Sequence, residues 1–199
     1  MTDRLYPPES RRGGYTLIEL LIVIAVLGLA GALLVPHLVD QNSLTVQAAV
    51  RQLIADLSFA QSDALAHQEY RRVHFYGDGR GYCLLRVDEG NYAEEFNEAT
   101  ADYVYDPLAT ASEAGRYVID FTADDRFEGV TITSVNIDGA GEGIGGDGAD
   151  TVYDPLGGTI RSGGLPGTGG TIVLTADDDD YEVTLSPFTG KLTVRKMGG

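Results

Sequence analysis

Gly14-Tyr15-Thr16-Leu17-Ile18-Glu19 opens a run in which Leu20 to Val35 contains no charged or strongly polar residue, and Pro36 closes it. A helix over the 21 residues from Tyr15 to Val35 is about 31 Å long, which matches the hydrocarbon core of a bilayer. Three ordinary readings of such a segment compete. A secretory signal peptide has a shorter apolar core followed by a small-residue cleavage site. Here Ala30-Gly31-Ala32 lies inside the run, and Leu33-Leu34-Val35 continues it. A helix buried in a small soluble core is seldom apolar on every side for so long. A plain membrane anchor fits the length but gives no reason for an acid at Glu19. The polar stretch before the run carries Arg4, Arg11 and Arg12 against Asp3 and Glu9, and no Lys or Arg occurs from Tyr15 to Val50. The positive-inside rule therefore leaves residues 1–14 in the cytoplasm and sends the rest outward.

The basic leader, the fixed Gly, the aromatic, Thr-Leu-Ile-Glu and the apolar run ending at Pro36 together resemble the type IV prepilin class. In that class a membrane peptidase cuts after the Gly and methylates the new amine. The resemblance implies cleavage between Gly14 and Tyr15, a methylated N-terminus at Tyr15, and an assembly role for Glu19, the fifth mature residue. An ionised carboxylate in lipid needs a partner, and the free amine of a neighbouring Tyr15 is one.

The chain has 199 residues, with 14 Lys+Arg against 30 Asp+Glu, a net charge of −16. The leader carries three basic and two acidic side chains, so its removal takes the charge to −17. Such acidity disfavours gripping nucleic acid through phosphates or resting on anionic lipid. The one clustered set of cations is Lys191, Arg195 and Lys196, too few for substantial counterion release, and no nucleic-acid partner is expected. One cysteine excludes an intramolecular disulfide.

Behind Pro36, Val46, Val50, Leu53, Leu57, Ala60 and Ala64 recur at steps of four and three, the face of an amphipathic helix. Gln47, Arg51, Gln52, Asp56, Ser58 and Asp63 are assigned mostly to its other faces. The pattern predicts one long helix from about Thr16 to about Gln68, kinked at Pro36. After His67 the period becomes two. Val73–Tyr76, the turn Gly77-Asp78-Gly79-Arg80-Gly81 and Tyr82–Val87 read as a β-hairpin. Further strands are expected over Tyr117–Phe121, Val130–Ile137, Thr171–Thr175, Tyr181–Leu185 and Lys191–Arg195. Asp177 to Asp180 would connect two of them, and Pro187-Phe188-Thr189-Gly190 would turn into the last. Tyr105-Asp106-Pro107-Leu108 recurs as Tyr153-Asp154-Pro155-Leu156, for which two similar turns suffice.

The expected fold class is α+β: a pilin-like fold with a long N-terminal helix, its first half transmembrane, on a C-terminal antiparallel β-sheet domain. The divisions are a leader over 1–14, a membrane helix over 15–36, an amphipathic continuation over 37–69 and a β-rich head over 70–199. Leu53–Ala64, the hairpin and Val183–Gly190 are similar to H-type (GspH/FimT-like) minor pseudopilins; residues 88–170 match no pattern. That similarity implies a non-enzymatic minor subunit of a type II secretion pseudopilus. A minor type IV pilin is the alternative, and a membrane-tethered binding or enzyme domain a third. The implied partners are prepilin peptidase, the membrane, and other pilins or pseudopilins through the N-terminal helix. The implied location is the bacterial inner membrane, single-pass, with a periplasmic head entering a fibre.

Other chemistry is sparse. Gly141-Glu142-Gly143-Ile144-Gly145-Gly146 matches GxGxxG, but a nucleotide loop needs a helix directly behind it, and an acidic Asp-Gly-Ala-Asp stretch follows instead. Asp138, Glu142, Asp147 and Asp150 offer hard oxygen ligands on a glycine-rich backbone, so calcium is the one cofactor considered. Cys83 alternates with Leu85 and Val87 and is expected buried. His37, His67 and His74 are too scattered for a metal-ligand spacing. No catalytic nucleophile–base motif is present, and no enzyme activity is expected.

Overall fold

The computed structural model describes residues 14–38, 41–109, 114–139, 148–177 and 179–197, without the side chains between 32 and 43. It divides into two units, residues 1–40 and 41–199.

The first unit is helix α1, Leu17–Leu38. Thr16 starts it. The Glu19 N–H reaches Thr16 Oγ1 at 3.3 Å and the Thr16 carbonyl at 3.1 Å, and the Leu20 N–H takes the same carbonyl at 3.1 Å. Thr16-x-x-Glu19 is thus a capping-box sequence in helix-starting position. Twenty-two residues rise about 33 Å. Helical backbone runs through Pro36 to Leu38 and resumes at Gln41. Residues 39 and 40, where the expected single helix would be continuous, lie outside the described residues. Every large apolar side chain of α1 from Leu17 to Leu29 is exposed. Among the described residues no helix is long and apolar enough to cross a membrane, the described side chains of α1 ending at residue 31.

The second unit is a head of one helix and two antiparallel sheets. Helix α2, Gln41–His67, buries Val46, Ala49, Val50, Leu53, Leu57, Ala60 and Ala64, the face read from the 4-3-4 spacing. Strands β1 (Tyr70–Phe75) and β2 (Gly81–Val87) form the expected hairpin. They join β3 (Val118–Asp120), β5 (Ala149–Tyr153), β6 (Thr159–Arg161) and β7 (Leu165–Pro166) in a sheet ordered β3-β2-β1-β5-β6-β7. Strands β4 (Thr131–Ile137), β8 (Gly170–Ala176), β9 (Asp179–Leu185) and β10 (Leu192–Met197) make the other, ordered β10-β9-β8-β4. α2 packs on β1 and β5 of the first sheet and on β8 and β9 of the second. Phe75, Tyr82 and Leu84 from one sheet and Ile172, Leu174 and Val183 from the other share one core with it. An N-terminal helix packed on antiparallel β structure is the α+β class expected, with the β part divided between two sheets.

The turn of the first hairpin ties the sheets together. Gly79 has φ +75° and approaches β4 so closely that a Cβ would lie 2.4 Å from the Ile132 carbonyl oxygen. In return the Ile132 N–H donates to the Gly79 carbonyl at 2.9 Å. No L side chain fits both constraints. On the other face of the first sheet, Tyr76, Cys83, Leu85 and Tyr103 form a second apolar cluster, with Phe96 and Ala101 from the segment after β2 packed on it. Part of the stretch that matched no pattern is therefore a cover over the sheet. Cys83 is buried as expected, and burial pushes its thiol up to about 12.

The repeated tetrapeptide gives the same local turn twice. Asp106 Oδ1 accepts the Leu108 N–H at 2.8 Å, and Asp154 Oδ1 accepts the Leu156 N–H at 2.9 Å. These are Asx turns. Each throws its leucine outward, Leu108 to 89% exposure and Leu156 to 84%. At the β8–β9 hairpin, Asp179 and Asp180 belong to β9 rather than to the connection.

Candidate functional site

The N-terminal site is built from few contacts. A Cβ placed on Gly14 meets no atom within 4 Å. Among the described residues nothing requires glycine there, which leaves a requirement from a partner such as a processing enzyme. Tyr15 is exposed beside it, and Glu19 sits one turn into α1. The arrangement presents an accessible Gly14–Tyr15 bond, then a lone carboxylate, on a helix whose apolar surface has no cover. Large exposed apolar surfaces mark contact with lipid or protein.

In the head the chemistry-bearing groups gather at two places. The first is Asp56, which the sequence reading placed on a polar face and the structure buries at 2% exposure. The correction has a simple cause: Asp56 lies seven residues after Ala49 and three after Leu53, which returns it to the buried stripe. It is tolerated there because it is saturated with donors. The Tyr82 hydroxyl donates at 2.7 Å, the Tyr117 hydroxyl at 2.8 Å, and Gln52 Nε2 at 2.9 and 3.1 Å to the two carboxylate oxygens. Burial raises the Asp56 pKa, and the three donors only partly offset it. The ionised form is therefore the strained one. The linked stability is fully present below the unfolded pKa of about 3.9 and is lost as pH rises through the higher folded value.

Asp56→Ala strands the hydroxyl of the fully buried Tyr82 and is expected to cost about 1–3 kcal/mol for that donor alone. At about 2–4 °C per kcal/mol in a domain of this size, the thermal midpoint should fall visibly. Adding Tyr82→Phe removes the stranded donor and should return most of the loss. A double variant no more stable than Asp56→Ala would show that the hydroxyl is not what Asp56 serves.

The second place is the start of β5. Arg72 grips Asp150 with Nε at 2.7 Å and Nη2 at 2.6 Å, and His74 Nδ1 lies 2.8 Å from the same carboxylate. Arg72 Nη1 also donates to the Glu94 carbonyl at 2.5 Å, and the His74 ring stacks on Phe96 at 3.9 Å between centroids. The network holds the cover segment down on the sheet. Burial would raise the Asp150 pKa, but the hydrogen bonds from His74 and Arg72 outweigh it and hold the carboxyl below its usual value. Its linked stability has the opposite sign to that of Asp56: present above the unfolded pKa and lost as pH falls through the folded one.

Of the calcium candidates, Asp150 is thus occupied by Arg72 and His74. Asp138 Oδ1 accepts the Thr168 N–H at 2.5 Å. Glu142 and Asp147 lie outside the described residues. Among the described residues no group of three or more His, Cys, Asp or Glu side chains is placed to hold a metal ion. A cleft of about 690 Å³ opens beside the end of α2, walled by Phe59, Val104 and Tyr105. Most of its charges are paired, Arg71 with Asp63 and Glu69 and Arg86 with Asp102, while Asp88 accepts the Gly90 and Asn91 N–H groups.

The prokaryotic N-terminal methylation motif matches residues 10–35 of the chain. A curated protein of Thermus thermophilus, named Pilin-like protein PilA1, is 33% identical over 78 residues, which are 39% of this chain and 49% of that protein. The match thus spans about half the length of that relative. No solved structure matches the chain. The chain thus carries a prepilin-like N-terminal methylation motif with a helix-on-sheet head behind it, and over 39% of its length it is similar to a pilin-like protein.

Proposed function

We propose that the chain is a minor, non-enzymatic subunit of a type II secretion pseudopilus. It is made as a prepilin, cut between Gly14 and Tyr15, and methylated on the Tyr15 amine. Residues 15–36 then cross the inner membrane, a bend at Pro36 passes into the amphipathic helix, and the β-rich head stands in the periplasm. Assembly proceeds through α1, with Glu19 neutralised by the N-terminal amine of a neighbouring subunit. The observation that carries this reading is the uncovered apolar surface of α1, directly behind a sterically unrestrained Gly14. A plain tether explains the apolar surface but not the motif over residues 10–35.

The head supports a structural rather than a DNA-binding role. Of the three clustered cations, Arg195 pairs with Glu182 at 3.0 Å and Lys196 with Asp179 at 2.5 Å. Paired cations release few counterions from a phosphate backbone.

Crosslinking in the native host followed by purification of the full chain tests the assignment. Co-purification with other pseudopilins and an outer-membrane secretion channel is the expected result. Co-purification with a pilus fibre and its retraction ATPase would move the chain to a type IV pilus. Recovery of the chain with neither would leave a tethered head and overturn the proposal.

A further inference from the structure

A second surface lies at the far end of α2, and it belongs to the head alone, so it does not rest on the assembly reading. The last turns of α2, the Asp154–Gly157 turn and the Pro187–Gly190 turn converge around a groove of about 530 Å³. Gln61 stitches the three segments together, its Nε2 donating to the Gly157 carbonyl at 2.6 Å and the Thr189 carbonyl at 2.8 Å. Backbone hydrogen bonds add to this: Thr159 N–H to the Phe188 carbonyl at 3.3 Å and Gly167 N–H to the Thr159 carbonyl at 2.7 Å. Gly157, at φ +79°, seats against Leu65, where a Cβ would come within 2.7 Å of the leucine methyl. The groove is formed in advance of any occupant.

Its rim is apolar. Leu65 is 49% exposed, Leu156 84% and Phe188 63%. Single exposed leucines need no explanation, but three large apolar side chains around one preformed groove form a patch of the kind that binds partners. Leu156 is held outward by the Asx turn, whose carboxylate accepts the Leu156 and Gly158 N–H groups on Oδ1 at 2.9 and 2.8 Å. Both bonds fall on one oxygen, Oδ1, and the Asp154 carboxylate, half-buried, lines the groove. Asp154 is the one charged residue among those lining the groove. The chain around it carries a net charge of −16. A second copy of so acidic a chain would be repelled, and so would an anionic lipid surface. An occupant with a large apolar side chain and an adjacent cation satisfies both features.

We propose that this groove docks an extended peptide segment of a partner protein in which a large apolar residue stands next to Lys or Arg. The apolar side chain seats among Leu65, Leu156 and Phe188, and the cation meets the Asp154 carboxylate.

The test uses the full-length chain in phosphatidylcholine nanodiscs and a fluorescein-labelled peptide containing Lys-Leu-Phe-Lys, read by fluorescence anisotropy. Saturable binding absent from empty nanodiscs is expected. Leu156→Ser and Phe188→Ser should each weaken it about tenfold, as truncation of an apolar anchor does. Asp154→Asn keeps an acceptor for both turn N–H groups and should weaken binding about fivefold and make its salt dependence shallower, the scale of one exposed ion pair. A Glu-Leu-Phe-Glu peptide should not bind. Both leucine and phenylalanine positions are exposed, so an unchanged thermal midpoint separates lost docking from lost fold. Equal binding of the two peptides, equal binding by all variants, equal binding to empty nanodiscs, or no binding at millimolar peptide would each overturn the proposal.

Discussion

Gly14→Val is expected to leave the chain uncut. On immunoblots of membranes it should run at the full-length position, and fibre fractions should contain none of it. The expected effect is all-or-none because the substitution acts on the peptidase rather than on the substrate's fold. Around Gly14 a Cβ finds no atom of the described residues within 4 Å. The head keeps its own core, drawn from α2 and the two sheets, and its melting should not move. A β-branched residue instead places a bulky side chain, stiff at χ1, on the side a protease must approach. Uncut chain retains Arg11 and Arg12 before α1 and lacks a free amine at Tyr15. On the proposed assembly, Glu19 of a neighbour would then lack the cation it needs in the membrane. A Gly14→Val chain that supports wild-type function while uncut would reduce the protein to a tethered head.

The parts of the molecule that could be read from its residues are those whose signal is local. The apolar run with Pro36 behind it gave α1, and the 4-3-4 spacing from Val46 to Ala64 gave the buried face of α2. The change of period after His67 gave the β1–β2 hairpin, whose register then runs unbroken from Tyr70↔Val87 to Phe75↔Tyr82. Strands β5 to β7 had no such signal. They are two to five residues long, separated by glycine-containing turns, and β5 finds its partner in β1 some 75 residues earlier, as in Phe75↔Ala149. Pairing over such separations is decided by the whole core, not by a short window. The same distance hid the Arg72–Asp150–His74 network. In sequence Arg72 and His74 are two polar residues on a strand; only the neighbouring strand makes them the buried partners of an acid. Asp56 is the exception, since counting seven from Ala49 would have placed it inside. What was not local there was its reason for being tolerated, the hydroxyls of Tyr82 and Tyr117.

Glu19→Ala and Glu19→Gln should both be processed normally and both fail to enter fibres, and the pair of variants separates two roles that one variant confuses. The first role is local. Thr16-x-x-Glu19 is a capping-box sequence, and the Glu19 N–H already bonds Thr16 Oγ1 at 3.3 Å. Gln serves in a capping box as Glu does, and a lost cap costs about 1 kcal/mol. That loss would fray one turn of a 22-residue helix without preventing insertion. The second role is ionic. A carboxylate taken into lipid needs a cation, and removing one member of a buried pair costs about 3–5 kcal/mol. At about 1.4 kcal/mol per tenfold, each subunit contact would weaken by a factor of roughly 140 to 4,000, enough to empty a fibre built of such contacts. Gln keeps the size and the capping oxygen but carries no charge. If it assembles like wild type while Ala does not, capping is the role and the inter-subunit pair is wrong. If both are cut after Gly14, remain in the membrane and are missing from sheared fibre fractions, the charge itself is what assembly requires.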